Sequence, residues 1–232
     1  MTLERPINEL VTSALACLKE NRSLEAEKLL AEAQRRDPRN ANVLQLLGAA
    51  ALMRGTFEQA IAFLEAAHAV DGNNLSIENN LGLAYFKTGQ HARALEFFDR
   101  ALKLKPDYVE AAYHAGMCRR AKGDLEGAIA AYRVALKVKP NFASAWSNLG
   151  NVYIDKNQPA AAVTLFDKAL GFEPNLPEAL NGLAHARMDL LDYEAAETAC
   201  RRAIAVRPTM SEAHNNLGLM LQNQGRIAEA LA

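Results

Sequence analysis

Small and bulky apolar residues return to the same slots along this chain every 34 residues, with polar residues between them. Registered from Ile7, the units begin at Ile7, Ala41, Leu75, Val109, Ala143, Pro177 and Ser211, and the last breaks off at Ala232. Alanine fills position 20 of every unit: Ala26, Ala60, Ala94, Ala128, Ala162, Ala196 and Ala230. It also fills position 27 of each complete unit: Ala33, Ala67, Ala101, Ala135, Ala169 and Ala203. Position 8 is always small, as Ala14, Gly48, Gly82, Gly116, Gly150, Ala184 and Gly218. Position 24 is bulky in Leu30, Leu64, Phe98, Tyr132 and Phe166, with Cys200 the exception. Glycine inside a helix costs about 0.5–1 kcal/mol relative to alanine, so its recurrence at position 8 predicts two helices packed backbone to backbone.

The breakers divide each unit in two. Position 15 is Gly55, Gly89, Gly123 or Gly225, with Asn21 and Asn157 elsewhere, residues that end helices by accepting a left-handed backbone. Position 32 is Pro38, Pro106, Pro140, Pro174 or Pro208, which cannot continue a second helix, and Gly72 takes that slot in the second unit. No strand-like alternation is long enough to compete. Each unit therefore reads as a helical hairpin. The chain reads as one all-α domain, residues 1–232, with repeats 7–40, 41–74, 75–108, 109–142, 143–176 and 177–210 and a partial repeat 211–232.

The stretch AWSNLGNVY at 145–153, followed by Ala162, Phe166, Ala169 and Pro174, resembles the tetratricopeptide repeat at its signature positions. Two features depart from that pattern besides Gly72: Arg119 and Arg187 hold position 11, where Tyr85 and Tyr153 stand in the preceding units. The resemblance implies a right-handed α-α superhelix, with first helices lining a concave face and second helices a convex one. It also implies a protein or peptide ligand held on positions 2, 5, 6, 9, 12 and 13.

Those positions are rich in amides. NNLGLAYF at 79–86 and NNLGLMLQ at 215–222 are separated by 136 residues, four periods. Asn79, Asn148, Asn151, Asn181 and Asn215 fall at positions 5, 6 or 9, with Asn80 and Asn216 at position 6. A carboxamide both donates and accepts, which matches the donor and acceptor of each residue in an extended peptide. Tyr113, His114 and His185 share the same face, and Phe86, Met117, Ile154 and Met188 add apolar surface. The arrangement is similar to the asparagine-lined repeats of O-linked N-acetylglucosamine transferases. A Lys/Arg–Asn clamp for terminal carboxylates, another device of the family, is not assembled by any unit. Lys19, Lys87 and Arg120 lie early on this face, against Asp155, Glu178, Asp189 and Glu212 late.

Composition narrows the chemistry. Net charge is −1, and the basic pairs are scattered without interleaved aromatics, which disfavours nucleic acid. No apolar run reaches the roughly 20 residues a membrane span needs, and the N-terminus has no secretory pattern. Cys17, Cys118 and Cys200 form no CxxC pair and read as reduced thiols, which places the protein in the cytoplasm. The five histidines show no ligand spacing, and no phosphate loop or nucleophile elbow occurs. The expectation is a non-catalytic interaction module with no cofactor and no metal. Leu217, Leu221, Ile227 and Leu231 would leave the last hairpin uncovered, so the natural protein is expected to continue past Ala232. Two alternatives follow: the substrate-recruiting arm of a larger glycosyltransferase-like enzyme, or a scaffold that self-associates through its uncapped end.

Overall fold

A computed structural model describes residues 5–230, apart from the side chains of Ala228 and Ala230. Every regular element among the described residues is a helix. The chain divides into two compact units, one running to Cys118 and one starting at Arg119. The first holds α1 (Ile7–Lys19), α2 (Ser23–Arg36), α3 (Ala41–Arg54), α4 (Phe57–Val70), α5 (Leu75–Lys87) and α6 (His91–Leu104). The dividing point falls within α7 (Val109–Ala121). The second holds α8 (Leu125–Val138), α9 (Ala143–Asp155), α10 (Pro159–Phe172), α11 (Pro177–Asp189), α12 (Tyr193–Val206), α13 (Ser211–Asn223) and α14 (Ile227–Ala230). The odd-numbered helices open at the seven residues where the 34-residue period places its unit starts.

Successive helices pair as hairpins, α3 with α4 and α5 with α6 in the first unit, α9 with α10 and α11 with α12 in the second. First helices also touch the first helix of the next repeat, as α3 does α5 and α11 does α13. The phase of the small residues explains the pairing. The position-20 alanines from Ala26 to Ala196 and the position-27 alanines from Ala33 to Ala203 are all 0% exposed. Ala230 and Leu231 lie outside the described side chains.

Position 8 works differently from the backbone-to-backbone packing expected of it. A β-carbon built on Gly48 would stand 2.4 Å from Leu64 Cγ, and one on Gly82 would stand 2.5 Å from Phe98 Cε1. The glycine makes room for the position-24 side chain of its own repeat. Phe166 goes further and is pinched between Gly150 and Gly182, whose added β-carbons would come within 2.8 and 2.4 Å of its ring. Fully burying such a ring contributes about 1.5–3 kcal/mol, more than the glycine costs. Where position 24 is Cys200, the facing residue is Ala184, packed in the same cluster.

Helix ends follow local rules. Asn74 caps α5 by accepting from the Ser76 and Ile77 amides, and Asp192 caps α12 by accepting from Ala195. The hairpin turns take a left-handed residue at position 15: Gly55 and Gly89 at φ 75° and 76°, but also Leu191 at φ 60°. Leucine there is strained, and its side chain is 70% exposed. Leu221, expected on the surface, is 2% exposed and packs with Met188, Ala196 and Met220, because the side of α13 facing α11 is covered. Ile227 is 58% exposed.

Candidate functional site

First helices carry the amide positions in both units, and in the second unit positions 5 and 6 meet between neighbouring first helices as Asn181 and Asn216. In the first unit, α5 supplies Asn79 and Asn80, and α7 supplies Tyr113 and His114. Asn79 is buried, 8% exposed, and its Oδ1 has no hydrogen-bond partner. Asn80, Tyr113 and His114 are half-buried. The His114 ring stacks on Phe98 at 5.2 Å and tilts against Tyr113 at 5.4 Å, with its Nδ1 also lacking a partner. Burial lowers its pKa to about 4, Lys87 adding to the effect and Glu110 opposing it. The imidazole is therefore neutral near pH 7, a wall of the surface rather than a charged ligand.

In the second unit, Asn148 and Asn151 on α9 are half-buried, while His185 on α11 and Asn215 on α13 are exposed. His185 Nε2 lies 3.9 Å from Asp189 Oδ1. Asn216 Nδ2 donates to Asn181 Oδ1 at 2.9 Å, joining α13 to α11 through their amides. Each member of that pair keeps unused capacity, because no other bond engages Asn181 Nδ2 or Asn216 Oδ1 among the described residues. The acids on this face are partly engaged too: Asp155 accepts from Arg120 at 2.6 Å, and Glu178 from Arg207 at 2.8 Å.

The position-11 arginine of the sixth repeat, Arg187, donates to Asp192 at 2.9 Å, replacing tyrosine packing with a tie across the hairpin turn. Cys17, Cys118 and Cys200 are buried and unlinked. Burial pushes the Cys200 thiol up to about 11, with Glu197 adding to it. No group of three or more His, Cys, Asp or Glu among the described residues is placed to hold a metal ion. No helix among them is long and apolar enough to cross a membrane.

Glu78, His68 and Arg100 form a polar cluster off the amide face. Its signal was available in the columns: Glu78 stands at position 4 and His68 at position 28, where Leu180 and Leu170 stand in the later repeats.

Family models for the tetratricopeptide repeat match residues 12–74 and 181–232, 76–108, and 143–176, and a TPR repeat model matches 119–157. No curated protein matches the chain. Among solved structures, it is similar to the APC/C hetero-tetramer Cut9-Hcn1, with TM-score 0.82 at 19% identity over 91% of this chain. The chain spans 42% of that protein's length. PilW, a widely conserved type IV pilus biogenesis factor, gives TM-score 0.82 at 20% identity, covering 93% of this chain and 100% of PilW. YrrB, a TPR protein with an unusual peptide-binding site, gives TM-score 0.64 at 24% identity, covering 77% of this chain and 90% of YrrB.

Proposed function

We propose, from the premise that the chain belongs to the tetratricopeptide repeat family and is a protein–protein interaction module, that its first-helix faces capture extended segments of partner proteins through their backbones. The observation that carries this reading is the Asn181–Asn216 pair. After bonding each other, the two amides still offer three N–H donors and the Asn216 carbonyl oxygen. A peptide bond in an extended chain presents the complementary acceptor and donor. Asn151 on α9 and Asn215 on α13, which make no bond to other described residues, extend the same offer within the second unit. In the first unit the accessible amide is that of Asn80, next to the aromatic wall of Tyr113 and His114. The likeness to YrrB supports a peptide ligand.

Magnitudes say what the ligand must add. Each amide–peptide bond contributes a net of about 0.5–1.5 kcal/mol, so four give on the order of 4 kcal/mol. Ordering a disordered segment costs about 2–5 kcal/mol. Backbone capture alone is nearly balanced, and apolar side chains of the ligand must supply affinity by covering half-buried residues such as Tyr113, Met117 and Ile154.

The test selects peptides from a displayed random library on the wild-type chain. It then measures their affinity for the triple variant Asn80→Ala, Asn148→Ala, Asn216→Ala. Affinity should fall roughly tenfold or more, while stability drops by no more than the one Asn181–Asn216 bond, about 0.5–1.5 kcal/mol. Unchanged affinity, or a library that yields no saturable binder, overturns the reading.

A further inference from the structure

The one fully buried carboxylate among the described residues belongs to Glu78, 0% exposed at the joint between the second and third repeats. Its Oε1 lies 2.9 Å from His68 Nδ1, close but misaligned, so neither atom has a well-formed hydrogen bond. On the other side of the ring, Arg100 Nη1 lies 3.2 Å from His68 Nε2. A guanidinium can only donate, so Nε2 is the acceptor and the imidazole proton sits at Nδ1, facing Glu78. Phe97 braces two of the three members: its ring meets His68 edge-on at 5.7 Å, and Arg100 lies over it at 5.2 Å.

Beside this relay is an open pocket of about 390 Å³, lined by His68, Gly72, Asn73, Arg100, Lys103 and Leu104. No carboxylate among the described residues lines it. Among the described residues, Lys103 and the Asn73 side chain make no hydrogen bond or ion pair, and Arg100 meets His68 and Phe97 and lies within charge range of Glu78. Two cations and an amide thus line one cavity with donors to spare. Three departures from the repeat pattern meet here. His68 and Glu78 stand at positions 28 and 4, which are Leu170 and Leu180 at the joint of the fifth and sixth repeats, and Gly72 replaces the proline of position 32. A β-carbon at residue 72 would come within 3.3 Å of the His68 carbonyl oxygen and 3.5 Å of its Cε1, so glycine keeps the mouth beside the ring open. Burying a carboxylate where an apolar pair fits costs stability, and such a cost concentrated beside an unfilled donor set marks a site.

We propose that this pocket is an oxyanion site for a phosphate monoester. The Arg100 fork and the Lys103 ammonium take the phosphate oxygens, Asn73 donates at the rim, and His68, held by Glu78, forms the wall. The cavity is several times the volume of a phosphate group, so it takes the ester's substituent as well. Its residues come from α4, α6 and the turn between α4 and α5, and they are separate from the amides of the first-helix face.

The experiment titrates the full chain with inorganic phosphate, with N-acetyl-phosphoserine methylamide and with acetate, followed by calorimetry and phosphorus NMR line-broadening. The two phosphates should bind saturably and acetate should not. Lys103→Glu, at an exposed residue, should weaken phosphate binding roughly tenfold or more with an unchanged melting temperature, and Arg100→Gln should do so to a similar degree. Tighter binding of the blocked phosphoserine identifies a peptide-borne phosphate; equal binding of the two identifies free phosphate compounds. Absence of saturable phosphate binding, binding that Lys103→Glu leaves unchanged, or acetate binding as tightly as phosphate overturns the proposal. None of these outcomes depends on the amide face.

Discussion

Between its second and third repeats this protein seats His68 against Glu78; at the same repeat positions between its fifth and sixth, Leu170 packs against the cluster that contains Leu180. The helices around the two joints share one register and one set of buried alanines, so the backbone does not distinguish them. The difference lies in what each joint asks of its surroundings. A leucine contact is stabilised by leaving water and needs nothing else. The buried carboxylate needs His68 and Arg100 to hold it, and burial still raises its pKa although both neighbours oppose the shift. The first-helix faces repeat the contrast. Positions 5 and 6 carry Asn79 and His114 in the first unit, each with an orphaned buried atom. In the second unit they carry Asn181 and Asn216, which bond each other, although Ser147 at position 5 also keeps an unpartnered buried hydroxyl. The first unit has placed His68, Glu78 and His114 where the compared positions of the second carry Leu170, Leu180 and Asn216.

Acid should separate the two units most sharply. The folded pKa of His114, about 4, lies below the ordinary histidine value, so the folded state prefers the neutral ring. That stability is fully present above the unfolded value of about 6.5 and is lost as pH falls toward the folded value, on the order of 3 kcal/mol in all. His114→Asn puts at position 6 the residue that bonds Asn181 in the second unit, and it should flatten this part of the melting-temperature profile. An unflattened profile would place the acid sensitivity elsewhere.

A smaller effect should follow from making the first joint like the second. The double variant His68→Leu, Glu78→Leu exchanges a buried ionic pair for apolar volume, which is neutral to stabilising by roughly 1–4 kcal/mol. We expect about 2 kcal/mol of gain by chemical denaturation. A net loss would mean that the pair supports the joint beyond its electrostatics.

The smallest effect concerns the turns. Leu191 holds at φ 60° a place that Gly55 and Gly89 hold in the first unit. Leu191→Gly should relieve strain and raise stability by about 1 kcal/mol, measured by thermal melting. Destabilisation would show that the exposed leucine makes contacts worth more than the strain it carries.

Much of the fold was legible because it rests on side-chain size at a fixed period. Helix starts, hairpin turns and buried alanine columns follow from the residues at positions 1, 15, 20 and 27. The amide face was legible only in outline. Asn79 and Asn215 open the same five-residue phrase, yet one is buried and the other exposed. Their own helix is the same in both cases, so exposure is set by the neighbour that covers each, which the phrase does not contain. Glu78 shows the reverse. Its place in a mostly apolar column was visible, but a polar residue there carries meaning only once its partners are known, and these lie 10 and 22 residues away on different helices.

By itself the sequence determined the repeat, because size complementarity between glycine or alanine and a facing ring is local to a hairpin and recurs every 34 residues. The tertiary structure alone decided which polar groups are spent and which remain available. Hydrogen bonds such as Asn216 to Asn181, and charge contacts such as Glu78 to His68, depend on the distance and angle between different helices. Those are properties of the packed molecule and not of any one segment.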